Sequence, residues 1–299
     1  MKKMLFVMNP YSGMRKANRY LADILALFNR ADYEVIVHMT AGQGDAARIV
    51  AERCSGVDLV VCCGGDGTFN ETISGMLLAG VQIPVGYIPA GSTNDFANSL
   101  KLSVNIMQAA EDIISGEPVA YDVGRFGQRY FSYVASFGAF TRASYSTPQS
   151  IKNTVGHVAY LLEGINELSQ IKNEHVRMEL DGQVVEDDFL FGAISNSTSL
   201  AGIVSLNPEL VDMADGEFEI ILIRAPRNLT EITECIAAVQ SQKYSCAMIT
   251  FRRAKKIRVF ANPDMPWTLD GEREEGHEQV DAENLHHAIR LMKRVNRDA

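Results

Sequence analysis

The residues with the clearest chemical potential are Gly64, Gly65, Asp66, Gly67 and Thr68, which follow the apolar run Asp58–Cys63 and lead into Asn70 and Glu71. Glycines at a strand end let the backbone come close to a ligand. Amides exposed at the start of a following helix favour phosphate, and a carboxylate in the same turn can reach a magnesium ion shared with phosphates. A second polar turn, Gly91-Ser92-Thr93-Asn94-Asp95-Phe96-Ala97, follows the run Val85–Ile88, and a third, Asn9-Pro10-Tyr11-Ser12-Gly13, ends the first apolar run. Taken singly, the first is also the signature of a tight strand-to-helix connection and the second of an N-capping turn. Together they sit at strand C-terminal ends, the edge along which open α/β sheets bind ligands. Neither a Gly-Lys-Ser/Thr phosphate loop nor a GxGxxG dinucleotide fingerprint is present.

These turns need a sheet to hold them. Met4–Asn9, Tyr33–His38, Asp58–Cys63 and Val85–Ile88 read as strands, the last two apolar enough to be buried on both faces. Lys16–Phe28, Gly44–Cys54, Phe69–Leu78 and Ile106–Ile114 read as helices by apolar spacing. Alternation of this kind predicts an α/β layer structure. After about residue 120 strands dominate: Phe131–Phe137, a hairpin with Asp181-Gly182 at its turn, Phe189–Ser195, Phe218–Arg224, Ala247–Arg253 and Lys256–Phe260. The expectation is an α/β domain over residues 1–121 and a mainly antiparallel β-sandwich over 122–299, whose last segment returns to the first domain. Within the second half, Ile151, Val155, Val158, Ala159, Leu162, Ile165 and Leu168 fall on one helical face. That face lacks a basic border, so it predicts packing within its own domain rather than membrane contact.

Bulk properties narrow the class. The 299 residues carry a formal charge of −9, a poor basis for nucleic-acid binding, which relies on Lys and Arg at phosphates. Local basic clusters remain: Arg252, Arg253, Lys255, Lys256 and Arg258, and Arg290, Lys293, Arg294 and Arg297. Solvated element faces are the ordinary reading of both. Five cysteines in odd number, with no CxxC spacing, predict neither a disulfide framework nor a zinc site and fit a reducing cytoplasm. No stretch of about 18 apolar residues is present, so contact with a lipid would be peripheral and transient. The oligomeric state is open, a homodimer included.

The three turns, in this order and spacing, resemble the diacylglycerol kinase catalytic-domain family, which includes bacterial soluble lipid kinases and sphingosine and ceramide kinases. The similarity spans essentially the whole chain and is densest from Asn9 to Ala97. It implies an N-terminal domain like those of NAD kinase and phosphofructokinase, with ATP and magnesium as cosubstrates and a membrane lipid as acceptor, most simply diacylglycerol. The implied nucleotide contacts are Asn9, Ser12, Gly13, Thr40, Gly64, Gly65, Asp66, Gly67, Thr68, Asn70, Glu71, Ser92, Asn94 and Asp95, with Asp66 essential through magnesium. In Leu269-Asp270-Gly271-Glu272, similarity makes Glu272 the general base; Glu274 and Glu275 stand close by. Asp212-Met213-Ala214-Asp215-Gly216-Glu217 resembles the bacterial loop that holds a structural magnesium, with Asp215 supplying its side chain and Asp212 and Glu217 backbone oxygens. Most bacterial members carry an apolar or aromatic residue where Glu217 stands. Three rivals remain at this stage. An NAD kinase lacks the continuation Asn94–Ala97, a non-enzymatic nucleotide sensor would not need the set Asp66, Asn70, Asp95 and Glu272, and a kinase for another lipid alcohol fits the motifs equally well.

Overall fold

The computed structural model describes residues 1–138, 173–200 and 204–294; the helical pattern from Ile151 to Leu168 lies outside them. The chain divides into two compact units, Met1–Asp122 with His287–Ala299, and Val123–His286.

In the first unit, strands β1 (Lys2–Met8), β2 (Tyr33–Met39), β3 (Leu59–Gly64) and β4 (Pro84–Pro89) are parallel in the order β2-β1-β3-β4, and the end of the long strand Gln279–Lys293 adds parallel to β4 through Arg290 and Leu291. Alternate residues of β1 face opposite layers. Met4, Phe6 and Met8 join a core with Ile24 and Phe28 of α1 (Leu21–Arg30). The helices that follow are α2 (Asp45–Arg53), α3 (Asp66–Leu78), α4 (Asp95–Ser99) and α5 (Ile106–Ser115). Residues Ala109, Ala110 and Ile113 of α5 complete that core, while α2 and α3 pack on each other. Every residue of β3 is buried, as its unbroken apolar run predicts. The helix expected from Lys16 is a 3-10 segment, Ser12–Tyr20, that becomes α-helical only at Leu21. The helix expected from Phe69 starts three residues earlier, at Asp66, so the glycine motif is itself the helix N-terminus.

The second unit is antiparallel. Strands β5 (Glu117–Phe126, shared with the first unit), β6 (Arg129–Phe131), β7 (Val134–Gly138), β8 (Glu174–Leu180) and β9 (Gln183–Ser195) come first. A short pair, β10 (Ser199–Leu200) and β11 (Val204–Ser205), stands apart from the main sheet. Then follow β12 (Phe218–Arg224), β13 (Ile249–Ala254), β14 (Lys256–Ala261), β15 (Trp267–Leu269), β16 (Glu272–Glu274) and β17 (Gln279–Lys293). The hairpin β8–β9 turns at Asp181-Gly182, both at positive φ. Strand β9 is long enough to serve two neighbourhoods. Its first half pairs with β8, next to β14, and its second half pairs with β7 and β12. Side chains from both groups share one core, in which Trp267 meets Phe126 and Phe137 with ring centroids 4.6 and 4.9 Å apart. This is the expected sandwich.

One helix of this unit escaped the sequence reading, α6 (Leu229–Gln240). Asn228 caps it by accepting from the Glu231 amide, and the Glu231 carboxylate takes the Arg227 amide and both terminal nitrogens of Arg224. These donors hold the Glu231 carboxyl down at about 2, below an unfolded value of about 4.3. A depressed carboxylate contributes stability that is complete above the unfolded value and is lost as pH falls through the folded one. Glu231→Gln is therefore expected to melt below the native chain at neutral pH, and the gap between the two midpoints to close between about pH 4 and pH 2. Thermal melts at stepped pH check this; a gap that stays constant over that range would remove the ion pair as its cause.

Candidate active site

At the C-terminal edge of the parallel sheet, the three polar turns come together. The Asn9 amide donates to the Cys63 carbonyl, and the Asn9 side-chain amide lies 3.2 Å from Thr68 Oγ1. The Ala90 amide donates to Gly64 O at 2.7 Å. Gly65 and Gly91 face each other so closely that a Cβ on Gly91 would stand 2.6 Å from the Gly65 Cα. Gly13, at φ +50°, packs against the Ala90 backbone. Thr40 reaches the same edge from the end of β2, its amide donating to Met8 O at 2.8 Å.

Asp66 joins the first and second turns. Its Oδ2 accepts from the Asp95 amide at 3.0 Å and its Oδ1 from the Phe96 amide at 3.2 Å. Asn94, in the left-handed region at φ 54°, closes the second turn on itself by bonding both the amide and the carbonyl of Gly91. Beneath the turns, Phe69 stacks between Tyr87 and Phe96 at 4.4 and 4.9 Å. Phe69 and Phe96 are both fully buried. The motif residues Thr68 and Asp95 are thus each followed by an aromatic anchor that roots their turn in the core, a role the sequence reading did not assign. Ser92 is exposed, and Asn70, Ser12 and Gly67 are half-buried at the same edge.

Glu71 lies at the same strand end and is held by backbone donors. Both of its oxygens accept from the start of α2, Oε1 from the Gly44 amide at 2.7 Å and Oε2 from the Ala46 amide at 3.1 Å. It sits one residue beyond Asn70 and caps the start of α2 from α3. Near it, hydrogen bonds from the Ala41 amide, His38 and Arg48 hold the Asp45 carboxyl far below its usual range, which secures the loop that carries Thr40.

In the second unit, β15 and β16 form a hairpin whose turn, Asp270-Gly271, is at positive φ in both residues. Asp270 is buried and accepts four hydrogen bonds, from the Ser132, Tyr133 and Val134 amides and from Ser132 Oγ, all within 3.0 Å. It fixes the turn. Glu272 follows, about one-third exposed, with Arg129 Nη2 3.1 Å from its Oε2. The same guanidinium reaches Glu274 at 2.6 Å and the Arg273 carbonyl at 3.4 Å. Nothing in the sequence around Arg129 marks it. Its partners lie more than 140 residues away. An open groove of about 880 Å³ runs past Arg129 and Glu274. Ion pairs border it, Arg125–Glu283 and Arg258–Asp281 among them, so it suits polar groups better than acyl chains.

The loop from Asp212 to Glu217 was expected to hold a cation through Asp212, Asp215 and Glu217. Asp212 Oδ1 accepts from the Ala214 amide, and Asp215 Oδ1 from the Glu217 amide. Asp215 Oδ2 is in direct contact with Arg253, and the Glu217 carbonyl accepts from Asn284 Nδ2 at 2.9 Å. Two of the three expected ligand groups already have protein donors, so this set does not fit a resident divalent ion. Of the first basic cluster, Arg253, Lys256 and Arg258 are each paired with carboxylates.

Comparison with known proteins places the chain. The model of the diacylglycerol kinase catalytic domain matches residues 3–126, and that of the YegS C-terminal NAD kinase beta sandwich-like domain matches 134–293. The diacylglycerol kinase of Staphylococcus carnosus is 32% identical over 274 residues, covering 91% of this chain and 89% of its own. The chain belongs to the diacylglycerol kinase family. The Bacillus subtilis diacylglycerol kinase is 30% identical over a similar span, 91% of this chain and 90% of its own. A diacylglycerol kinase crystal structure from Bacillus anthracis superposes with a TM-score of 0.74 at 23% identity, and a second solved chain from that organism with 0.80; each covers 98% of this chain and 97% of its own. At that identity the superpositions speak for the fold alone. As a member of the family the protein is a lipid kinase, a phosphotransferase, and the family implies ATP as phosphate donor. Among the described residues, no helix is long and apolar enough to cross a membrane.

Proposed function

We propose that the protein transfers the γ-phosphate of ATP, with magnesium, to the free hydroxyl of diacylglycerol, giving phosphatidic acid. The observation that carries this reading is the convergence of three glycine-bearing turns on the start of α3, cross-linked by Asp66. The fit to a nucleotide rests on the same place. The Gly65–Gly91 approach leaves a cradle that a side chain would fill, and the start of α3 directs amides and the positive end of the helix dipole at it. Asp66 places a carboxylate at this helix start, an oxygen ligand of the kind that suits a hard cation.

In this reading Gly64–Thr68, Asn9 and Asn94 shape the phosphate cradle, with Thr40, Ser12, Asn70, Ser92 and Asp95 on its rim. A bound magnesium ion would neutralise charge on the phosphates, and Asp66 would hold it. Glu272 accepts the proton of the lipid hydroxyl. Phosphoryl transfer passes through a loose transition state, so the base mainly orients the nucleophile and takes the proton late. Arg129 keeps the Glu272 carboxylate pointed. We expect Arg129→Met to lower kcat roughly 10-fold or more with KM for ATP nearly unchanged, and Arg129→Lys to recover part of the loss. Positioning of this kind is worth factors of this order. Steady-state kinetics at saturating lipid check it. A variant that changes only KM for ATP would remove Arg129 from the base's support.

The reading is tested by phosphate transfer from γ-labelled ATP in mixed micelles containing diacylglycerol, with parallel tubes of sphingosine, monoacylglycerol and undecaprenol. Labelled phosphatidic acid, absent with Asp66→Ala, is the expected result. Label in another lipid alone would keep the kinase and reassign its acceptor.

A further inference from the structure

We propose that Arg253 is a built-in cation that takes the place of a structural metal in the Asp212–Glu217 loop, so that this loop is held without magnesium. The inference is independent of which lipid is phosphorylated. It starts from register: β12 and β13 are antiparallel, and Glu219 stands directly opposite Arg253. The pairing projects the guanidinium toward the loop that leads into β12. There it contacts Asp215 Oδ2, and its Nε lies 3.5 Å from Glu217 Oε2 and 3.4 Å from Glu219 Oε1. Three carboxylates, spaced two residues apart, therefore converge on one guanidinium. The turn at Gly216, at φ +83°, carries the chain from Asp215 to the start of β12.

Atom by atom, the loop's demands are already met. Asp215 accepts the Glu217 amide on one oxygen and Arg253 on the other. The Glu217 carbonyl takes the side-chain amide of Asn284, a residue only 2% exposed. A magnesium ion sharing the Asp215 oxygen at about 2.1 Å would lie close beside the guanidinium, two cations competing for one carboxylate oxygen. Glu219 lies against the same guanidinium. It is fully buried, neither of its oxygens has a hydrogen-bond partner, and Arg253 is the cation beside it. A buried carboxyl without a partner is costly, and an arginine, unlike a metal, cannot dissociate.

The test compares unfolding midpoints and Mn²⁺ binding of the full-length protein. After treatment with a chelator, the native chain is expected to melt at the same temperature in chelator as in magnesium. Equilibrium dialysis without nucleotide should show no tightly held Mn²⁺ that Asp215→Asn abolishes. The double variant Arg253→Gln with Glu219→Gln avoids stranding a buried charge and so tests the same point in a chain that folds. It should melt several degrees lower in chelator and recover in magnesium, because Asp215 and Glu217 are then left to recruit an ion. A native chain that loses stability in chelator, or retains one Mn²⁺ through Asp215, overturns the proposal. So does a double variant as stable in chelator as the native chain.

Discussion

Glu272→Gln is expected to lose turnover by about 10²–10⁴-fold, the usual worth of a general base, while ATP affinity stays within about twofold. The substitution keeps shape and a hydrogen-bonding oxygen toward Arg129, and it removes the ability to accept a proton. The hairpin itself should not move, because Asp270 fixes it through four donors from Ser132, Tyr133 and Val134. Glu274 provides the internal control. It binds the same guanidinium, at 2.6 Å, so a loss seen equally in Glu274→Gln would indicate that the whole Arg129 cluster is structural. Single-turnover phosphate transfer alongside nucleotide titration separates chemistry from binding. Near-native turnover in Glu272→Gln would sink the assignment of the base.

Asp66→Ala is expected to weaken magnesium-dependent ATP binding by about 10–100-fold, the range for groups that hold or orient a metal. It should also destabilise the first unit, since the Asp95 and Phe96 amides lose their acceptor, at about 1–3 kcal/mol for each group left unsatisfied. The two effects can be separated. Asp66→Asn keeps one acceptor oxygen for the second turn but no carboxylate, so it should recover part of the stability and little of the affinity. Calorimetric titration with ATP in magnesium and in chelator, together with thermal melts, reads both. An ATP affinity equal in all three proteins would remove Asp66 from the nucleotide site and leave it a structural clamp.

The contrast between Glu71 and Asp66 shows where motif reading stops. Both belong to one continuous sequence signature, and both are acidic. The start of α2 claims Glu71, whereas Asp66 bridges to a turn 29 residues downstream. Spacing along the chain places residues in the same turn but does not say which amides their oxygens will meet. Helix α6 was legible and was missed: Ile232, Cys235, Ala238 and Val239 recur at helical spacing. Strand β17 was harder, because its 15 residues serve both units and its burial pattern changes along its length.

What the sequence determined by itself is what short-range patterning can encode. It set the alternation of buried strands with helices, the polar glycine turns at strand ends, the Asp181-Gly182 hairpin and the mainly β second half. Each depends on residues within a few positions of one another, where periodicity and turn chemistry act directly. Only the tertiary structure decided which of those groups meet. It put Arg129 beside Glu272, set Glu219 opposite Arg253, brought Asn284 to the Glu217 carbonyl and stacked Phe69 on Phe96. These contacts join residues 27 to 143 positions apart, and strand register and core packing select them, neither of which leaves a local mark in the chain.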